Sequence, residues 1–321
     1  MKRILTVSVR LKVTLMLMLA AGLMLLTGCS SSKEESAESK AEKKVVIKMA
    51  HAASESNPGH KALEMFGEIV AKETNGRITT EIYPNAQLGS ERELVEGVQL
   101  GNVNMCFVSS APVAAFQKEF FALDMPFLFK DRASVYRVLD GPVGQEMLKN
   151  MEKINIKGLG FWENGFRNFS NSKRPVHNPA PLAFGELFTA LQQGTFDAQE
   201  TPINLFYEMK YYEVQKYITK TAHLYSPFVI MMNLDLFNSF SPEDQKIILD
   251  AVEAAKGFER NMAQQKDIDA EKAMEGTIEF IELTPEEKDA FRSKMGPVYE
   301  KVKAKAGAEI VEKVIAAATA E

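Results

Sequence analysis

Apolar and polar positions follow regular periods after residue 44, and these periods predict five successive elements. In the first helical stretch the apolar residues at 62, 65, 66, 69 and 70 fall on one face, as in an amphipathic helix. Asn57 and Pro58 are a typical start for that helix, because Asn caps a helix and Pro suits its first position. The predicted order is strand 45–50, helix from 58, strand 78–82, helix from 91 and strand 104–109.

These five elements predict a mostly parallel sheet. Strands that are separated by helices pair in parallel when the connections are right-handed, as nearly all such connections are. In a sheet of this kind ligands bind at the carboxyl ends of the strands. The candidate binding loops therefore follow His51, surround Glu91 and lie at Ser109.

The helix-to-strand step of this unit recurs later in the chain. Residues 93–105, ELVEGVQLGNVNM, align without a gap with residues 186–198, ELFTALQQGTFDA. Each copy has a Gly eight positions after its Glu, at Gly101 and Gly194, and Gly suits the left-handed position that ends a helix. Two copies of one supersecondary unit predict a two-lobed α/β protein with a cleft between the lobes.

A third stretch combines a strand with a candidate binding residue. The strand 156–161 is predicted to lead into a loop at 162–167, WENGFR. Arg167 lies there between aromatic residues, and its planar guanidinium matches the shape of a carboxylate. A single Arg after a strand is also common as a surface group, so the pattern leaves both interpretations open.

The last third of the chain predicts a long helix. Ser241 and Pro242 form a typical cap and first position, and Asp244 follows as the acid of a structure like a capping box. Apolar spacing continues without a Pro, so this helix is predicted to run to about Gly276. A further helix is predicted to open at Thr284.

The amino terminus predicts export. A basic segment, 1–12, precedes the apolar run 13–26, which is too short to span a bilayer and is typical of a signal peptide. The run ends in Leu-Thr-Gly-Cys, which resembles the lipobox of bacterial lipoproteins, and this predicts cleavage before a lipidated Cys29. A plain signal peptide with an incidental Cys is the alternative. Residues 30–44 hold no apolar residue larger than Ala, which predicts a disordered tether.

Composition limits the chemistry. Four of the 38 basic residues precede Cys29 with no acidic residue among them, so the rest carries 34 basic against 43 acidic residues. This excess of acid argues against a nucleic-acid-binding protein. The two Cys and four His have no metal-site spacing, and no cofactor motif stands out, so no metal and no cofactor are expected. Cys106 lies in an apolar segment and is predicted to be a buried free thiol.

Six stretches together resemble a known family. From residue 45 onward the chain is similar to the substrate-binding proteins of tripartite ATP-independent periplasmic (TRAP) transporters, of the dicarboxylate-binding type. The resemblance implies two α/β lobes that close on an organic acid, a long helix that braces both, and delivery of the ligand to two membrane subunits driven by an ion gradient. The matching stretches are YPNAQLG at 83–89, DMPFLF at 124–129, ENGFR at 163–167, AFGEL at 183–187, FDAQE at 196–200 and YEVQKY at 212–217.

The chain departs from this family at two places. The family has a long segment between the motifs found here at 178–179 and 183–186, and that segment holds the Arg that forms the main bidentate salt bridge to the ligand. Only residues 180–182 stand there in this chain. An internal deletion between Ala180 and Pro181 is therefore predicted, which removes a β-α-β unit from the second lobe. The second departure is Thr201, which stands where the family usually has Asn.

The resemblance and the motifs together predict a binding site. Arg167 is expected to be the remaining group that pairs with the ligand carboxylate, and Phe184 to pack on the ligand. The other expected ligand contacts are polar side chains: His51, Glu91, Ser109, Asn164, Glu200 and Thr201.

The predicted domain organisation follows from these elements. Residues 1–28 are the signal peptide and 29–44 the tether. The first lobe is predicted to comprise 45–164 and 227–266, and the incomplete second lobe 165–226 and 267–321.

Three functions compete at this point. The first is capture of an organic acid, a dicarboxylate or sugar acid, outside the cytoplasm by a protein anchored to the outer face of the membrane. The second is an enzyme in which His51 and Glu91 act as base and acid, although no catalytic pairing stands out, and the expectation is that the protein is not an enzyme. The third is a ligand-free relic, or a sensor or interaction protein of the same fold. Which acid is bound does not follow from the sequence.

Overall fold

A computed structural model describes residues 44–172 and 186–320. In these ranges the strands form one mixed sheet in the order β2-β1-β3-β6-β4-β5, and β7 pairs with β6. The strands are β1 Val45–Ala50, β2 Ile78–Tyr83, β3 Met105–Ser109, β4 Ile156–Asn171, β5 Ala198–Thr201, β6 Tyr217–Asn233 and β7 Glu279–Glu282.

Helices cover both faces of this sheet. The α-helices are α1 Pro58–Glu73, α2 Glu91–Leu100, α3 Ser110–Val113, α4 Arg132–Leu139, α5 Pro142–Asn150, α6 Leu187–Gln192, α7 Ile203–Glu208, α8 Leu234–Ser239, α9 Pro242–Ala273, α10 Pro285–Arg292, α11 Gly296–Ala306 and α12 Ala308–Thr319. Short 3-10 helices lie at Lys118–Asp124, Met151–Ile154 and Tyr211–Glu213.

The first lobe consists of β1, β2 and β3 and the helices packed on them. β1 pairs in parallel with both β2 and β3, which confirms the predicted parallel unit. The predicted caps are also present: Asn57 accepts a hydrogen bond from the Gly59 amide, and Ser90 forms a capping box with Glu93. The carboxyl ends of β1 and β3 therefore point to the same edge of the sheet.

Two long antiparallel strands, β4 and β6, run from the first lobe into the second. The carboxyl end of β6, residues 228–232, pairs with β3. The carboxyl end of β4, residues 168–171, pairs with β5, and the amino end of β6, residues 217–220, pairs with β7. The second lobe consists of β5 and β7 with α6 and α7, built onto this shared ribbon. The chain thus has a two-lobed α/β fold.

The predicted loop at 162–167 is wrong, because these residues lie within β4. The strand stays paired with β6 through register shifts between Gly158 and Gly160, Glu163 and Gly165, and Arg167 and Phe169. At each shift the two strands hold unequal numbers of residues, as in a β-bulge, and the pairing resumes beyond it. Gly165, at φ +116°, takes a backbone conformation that L side chains rarely adopt.

The core of the second lobe is small. The strands β5, β4, β6 and β7 pair without a gap among the described residues, and Gly194 ends α6 at φ +70° as the repeat predicts. The predicted absence of a β-α-β unit concerns the chain between β4 and α6, where 173–185 lie outside the described residues, and it stays a prediction. Among the described residues, the main apolar cluster of this lobe consists of Leu191, Phe206, Tyr211, Ile218, Ala270, Met274 and Ile278.

The helix α9 braces both lobes, as predicted. Ser241 caps it by accepting from the Asp244 amide, and it packs on α1 in the first lobe and α7 in the second. The buried residues of α9 pack with Trp162, Met232 and β1 to form the core on one face of the sheet. The other face is covered by α2, α4, α5 and α12. Among the described helices, none combines the length and apolar character that a membrane span needs.

Candidate functional site

Arg167 and Glu200 meet where β4 pairs with β5. Arg167 donates from Nε to Glu200 Oε2, and from Nη2 to the Glu200 carbonyl oxygen at 2.7 Å. Glu200 lies opposite Phe169 in the ladder, two residues beyond Arg167. The structure thus brings together two of the predicted site residues, and Glu200 occupies much of the Arg167 fork.

Glu91 and Ser109 form a second pair at the carboxyl end of β3. The Ser109 amide and hydroxyl both donate to Glu91 Oε1 at 2.8 Å. Burial raises the pKa of Glu91, and the two Ser109 bonds and the nearby charge of Arg167 lower it in part. The charge of Arg167 therefore acts on Glu91, and this electrostatic interaction couples the Arg167–Glu200 pair to the Glu91–Ser109 pair.

Asp124 and His223 also belong to this cluster, and the sequence did not indicate either as a site residue. The Ser110 hydroxyl donates to Asp124 Oδ1 at 3.1 Å. Burial raises the pKa of Asp124 to about 6; Arg167 lowers it and Glu200 raises it. His223 lies with Nε2 3.6 Å from Glu200 Oε2. The guanidinium of Arg167 therefore contacts Glu200 and lowers the pKa of both Glu91 and Asp124 through its charge.

His51 contacts His60 and Phe107 rather than the residues of this cluster. Its side chain is fully buried, its Nε2 lies 2.9 Å from His60 Nδ1, and its ring stacks on Phe107 at a centroid distance of 4.6 Å. Burial, followed by the neighbouring His60, lowers the pKa of His51 to about 3. The imidazole is therefore neutral at physiological pH, and its role as a ligand contact stays a prediction.

Several buried polar atoms have no hydrogen-bond partner among the described residues. Asn164 donates from Nδ2 to the Ser226 hydroxyl at 3.5 Å, but its Oδ1 has no partner. Buried polar groups are nearly always hydrogen-bonded, so such atoms are available to a bound molecule. Those on predicted site residues or their neighbours are His51 Nδ1, Trp162 Nε1, Asn164 Oδ1 and Thr201 Oγ1.

Trp162 is a further candidate that the sequence did not single out. Its side chain is fully buried, and its ring lies 6.2 Å from that of Phe107, which in turn stacks on His51. The indole N–H can only donate, so it suits an acceptor oxygen. The remaining predicted site residue, Phe184, lies outside the described residues, as does Cys29.

Two surface pockets lie outside the predicted site residues, and the smaller one borders His223 through Thr221 and Ala222. They have volumes of about 270 and 830 Å³ and share Phe127, Lys130 and Arg292 in their walls. None of the predicted site residues lines either pocket. Within the described ranges no group of three or more His, Cys, Asp or Glu could hold a metal ion.

The sequence profile of one family matches most of the chain. This family is described as bacterial extracellular solute-binding protein, family 7 (DctP), and it matches residues 49–181 and 177–306. The two matched pieces meet at the position where the deletion is predicted.

Several known proteins are similar to this chain. A solute-binding protein of Verminephrobacter eiseniae is 41% identical over 236 residues, which covers 65% of this chain and 70% of that protein. The 2,3-diketo-L-gulonate-binding periplasmic protein of Escherichia coli is 31% identical, with 78% and 84% covered. The crystal structure of the sugar acid binding protein from Advenella mimigardefordensis in complex with galactonate superimposes with a TM-score of 0.81 at 33% identity, covering 86% of this chain and 98% of that one.

Proposed function

The chain belongs to the bacterial extracellular solute-binding proteins of family 7, and from this premise we propose that it captures an organic acid for a secondary, ion-gradient-driven TRAP transporter. The observation that carries the proposal is the guanidinium of Arg167, which is bonded to Glu200 at the junction of β4 and β5 and acts through its charge on Glu91 and Asp124. A guanidinium binds a carboxylate through paired charge-assisted hydrogen bonds. Binding is the whole of the proposed activity, without turnover of the ligand.

The charges around Arg167 favour a sugar acid over a dicarboxylate. One guanidinium can hold one carboxylate, and a second ligand carboxylate near Asp124 or Glu200 would meet like charge, which is unfavourable. Ligand hydroxyl groups would instead donate to these carboxylates, and such bonds to ionised groups are strong. The relatives include binders of galactonate and 2,3-diketo-L-gulonate and also binders of C4-dicarboxylates, so the choice rests on the charges around Arg167.

The other predicted site residues receive roles within this proposal. Phe184 packs on the ligand, Glu91 and Ser109 act as a pair, and Glu200 turns from Arg167 to a ligand hydroxyl. The free oxygens of Asn164 and Thr201 serve as hydrogen-bond partners for the ligand. His51 lies deeper and offers Nδ1.

Calorimetric titration of the purified protein tests the function. Galactonate is expected to bind with measurable but weak affinity, because the family's main carboxylate-binding Arg has no counterpart here. Losing a charge-assisted bond costs about 1.5–3 kcal/mol, roughly tenfold or more in affinity. Succinate is expected to bind more weakly than galactonate. Absence of heat with every sugar acid and dicarboxylate would favour the non-binding relic or sensor of the same fold.

The partners follow from the family and the amino-terminal segment. The ligand is passed to the small and large membrane subunits of the transporter, and no nucleic acid is involved. A lipid on Cys29 holds the protein at the outer face of the cytoplasmic membrane, in the periplasm or at the cell surface, which is supported by the lipobox Leu-Thr-Gly-Cys.

Substitution Cys29→Ala tests the anchor. The variant is expected to be released from membranes by mild washing, whereas the unchanged protein stays bound, because stable membrane attachment then depends on the lipid. Cys106→Ala is the matched control, since it removes the other thiol and is expected to leave membrane attachment unchanged. Release of the unchanged protein by the same wash would contradict the lipoprotein assignment.

A further inference from the structure

The guanidinium of Arg132 ties together three elements behind the candidate site. On α4, Arg132 donates from Nε to Glu163 Oε1 at 2.5 Å and from Nη2 to Asp267 Oδ2 at 2.7 Å. Glu163 is buried on β4, one residue before Asn164. Asp267 lies near the carboxyl end of α9, where that helix passes the second lobe. The fork therefore fixes β4 and α9 relative to α4.

The second oxygen of Asp267 reaches the second lobe. Asp267 Oδ1 accepts from the Asn204 backbone amide at 3.1 Å. Asn204 lies in the first turn of α7, and Thr201 and Pro202 connect this turn to Glu200 on β5. One carboxylate thus joins Arg132 on the first lobe to the turn that carries Glu200 and Thr201.

Close packing at Gly165 strengthens this connection. A Cβ at Gly165 would lie 3.3 Å from the Pro202 Cβ and 3.8 Å from Asp267 Oδ2. Gly165 stands between Asn164 and Arg167 on β4. The absence of a side chain here lets the Pro202 turn and Asp267 approach the strand that holds the other half of the site.

We infer that Asp267, held by Arg132, is a positioning residue that keeps the β5–α7 turn against β4, so that Glu200 stays beside Arg167 and Thr201 stays opposite Asn168. The effect of this positioning on ligand capture rests on the proposed function. Asp267 acts through the Asn204 amide and through Arg132. Removal of Asp267 frees the turn and leaves Arg132 with Glu163 alone.

A matched ion pair on the same helix separates positioning from general stability. Arg77 donates from Nη1 and Nη2 to the two oxygens of Asp244 at 3.0 and 2.7 Å. Asp244 is buried in the first turn of α9, at the opposite end from Asp267. Asp244→Ala therefore removes an Asp–Arg pair from the same helix without touching the β5–α7 turn.

Hydrogen exchange and calorimetry of the ligand-free and galactonate-titrated full chain test the inference. Asp267→Ala is expected to accelerate amide exchange in residues 198–208 and to weaken galactonate binding about tenfold. Asp267→Asn keeps an acceptor for the Asn204 amide, so it is expected to fall between Asp267→Ala and the parent. Asp244→Ala is expected to lower the unfolding temperature while leaving both the exchange of 198–208 and the affinity unchanged.

The outcomes are separable from those of the proposed function. If galactonate and related acids do not bind the parent, the proposed function fails, and the exchange of 198–208 still decides the positioning role. Equal exchange of 198–208 in Asp267→Ala and the parent, or an equal increase in Asp244→Ala, would overturn the inference. If Asp267→Ala does not fold, Asp267→Asn decides through the same two measurements.

Discussion

Replacement of Arg167 by alanine is expected to weaken galactonate binding about tenfold or more. Arg167 bonds to Glu200 and acts through its charge on Glu91 and Asp124. Its removal takes away the partner of the ligand carboxylate and also leaves these acids without the charge that offsets them. Calorimetric titration of the variant measures the effect.

Two companion variants sharpen this test. Arg167→Lys keeps the charge but loses the planar fork, so it is expected to bind more tightly than Arg167→Ala and more weakly than the parent. Arg92→Ala removes an exposed Arg of α2, which lies over the Phe116 ring, and is expected to leave the affinity unchanged. Equal affinity of Arg167→Ala and the parent would rule out Arg167 as the carboxylate-binding group.

The second lobe is expected to exchange its amide hydrogens much faster than the first. Among the described residues its apolar cluster is small, and its strand β5 pairs with β4 at the end of the described strand order. Loss of a β-α-β unit would also remove two strands that pair within the sheet and a helix that covers one of its faces. Each buried polar group left unpaired costs about 1–3 kcal/mol against a total stability of about 5–15 kcal/mol for a domain.

Hydrogen exchange of the purified protein should therefore show slow amides in 45–109 and fast amides in 186–205. The shared strands β4 and β6 provide an internal comparison, because their first-lobe halves lie in the two larger cores and should exchange slowly. Comparable protection in both lobes, together with micromolar binding of a sugar acid or dicarboxylate, would contradict the predicted deletion. The family profile supports the deletion by matching in two pieces that meet at 177–181.

Local patterns were sufficient to predict the first lobe. Its helices begin at caps that act within a few residues, such as Asn57 and Ser90, and Gly101 ends α2 in the left-handed conformation at φ +79°. The same reasoning predicted the cap of α9 at Ser241. These features depend on neighbouring residues only, and the sequence contains all of them.

The extent of β4 could not be predicted in the same way. The strand was predicted to end at 161 and the segment 162–167 to leave the sheet, and Gly165 within that segment resembles the punctuation of a loop. The strand continues because β6 follows it through three register shifts. That pairing joins residues far apart in the sequence, and the local pattern of apolar residues contains no information about such partners.

The site was predicted in part for the same reason. Arg167 was found by its fork and its setting, but Asp124 lies in an apolar run, and its approach to Ser110 and Arg167 depends on the fold. Trp162 was predicted only as part of the loop 162–167, and its indole N–H, which has no partner among the described residues, marks it as a candidate. Asp267 lies on α9, which was predicted from the sequence only as a helix that braces both lobes.

The buried thiol of Cys106 has a practical consequence for spectroscopy. Thiol reagents attack the thiolate form, and burial followed by the nearby Glu91 raises the pKa of this thiol, which is fully shielded. In a form that begins after Cys29, fluorescent or spin labels would therefore attach to cysteines introduced at exposed positions of the two lobes and leave the native one unmodified. The distance between the lobes can then be followed in solution without first replacing a residue of the core.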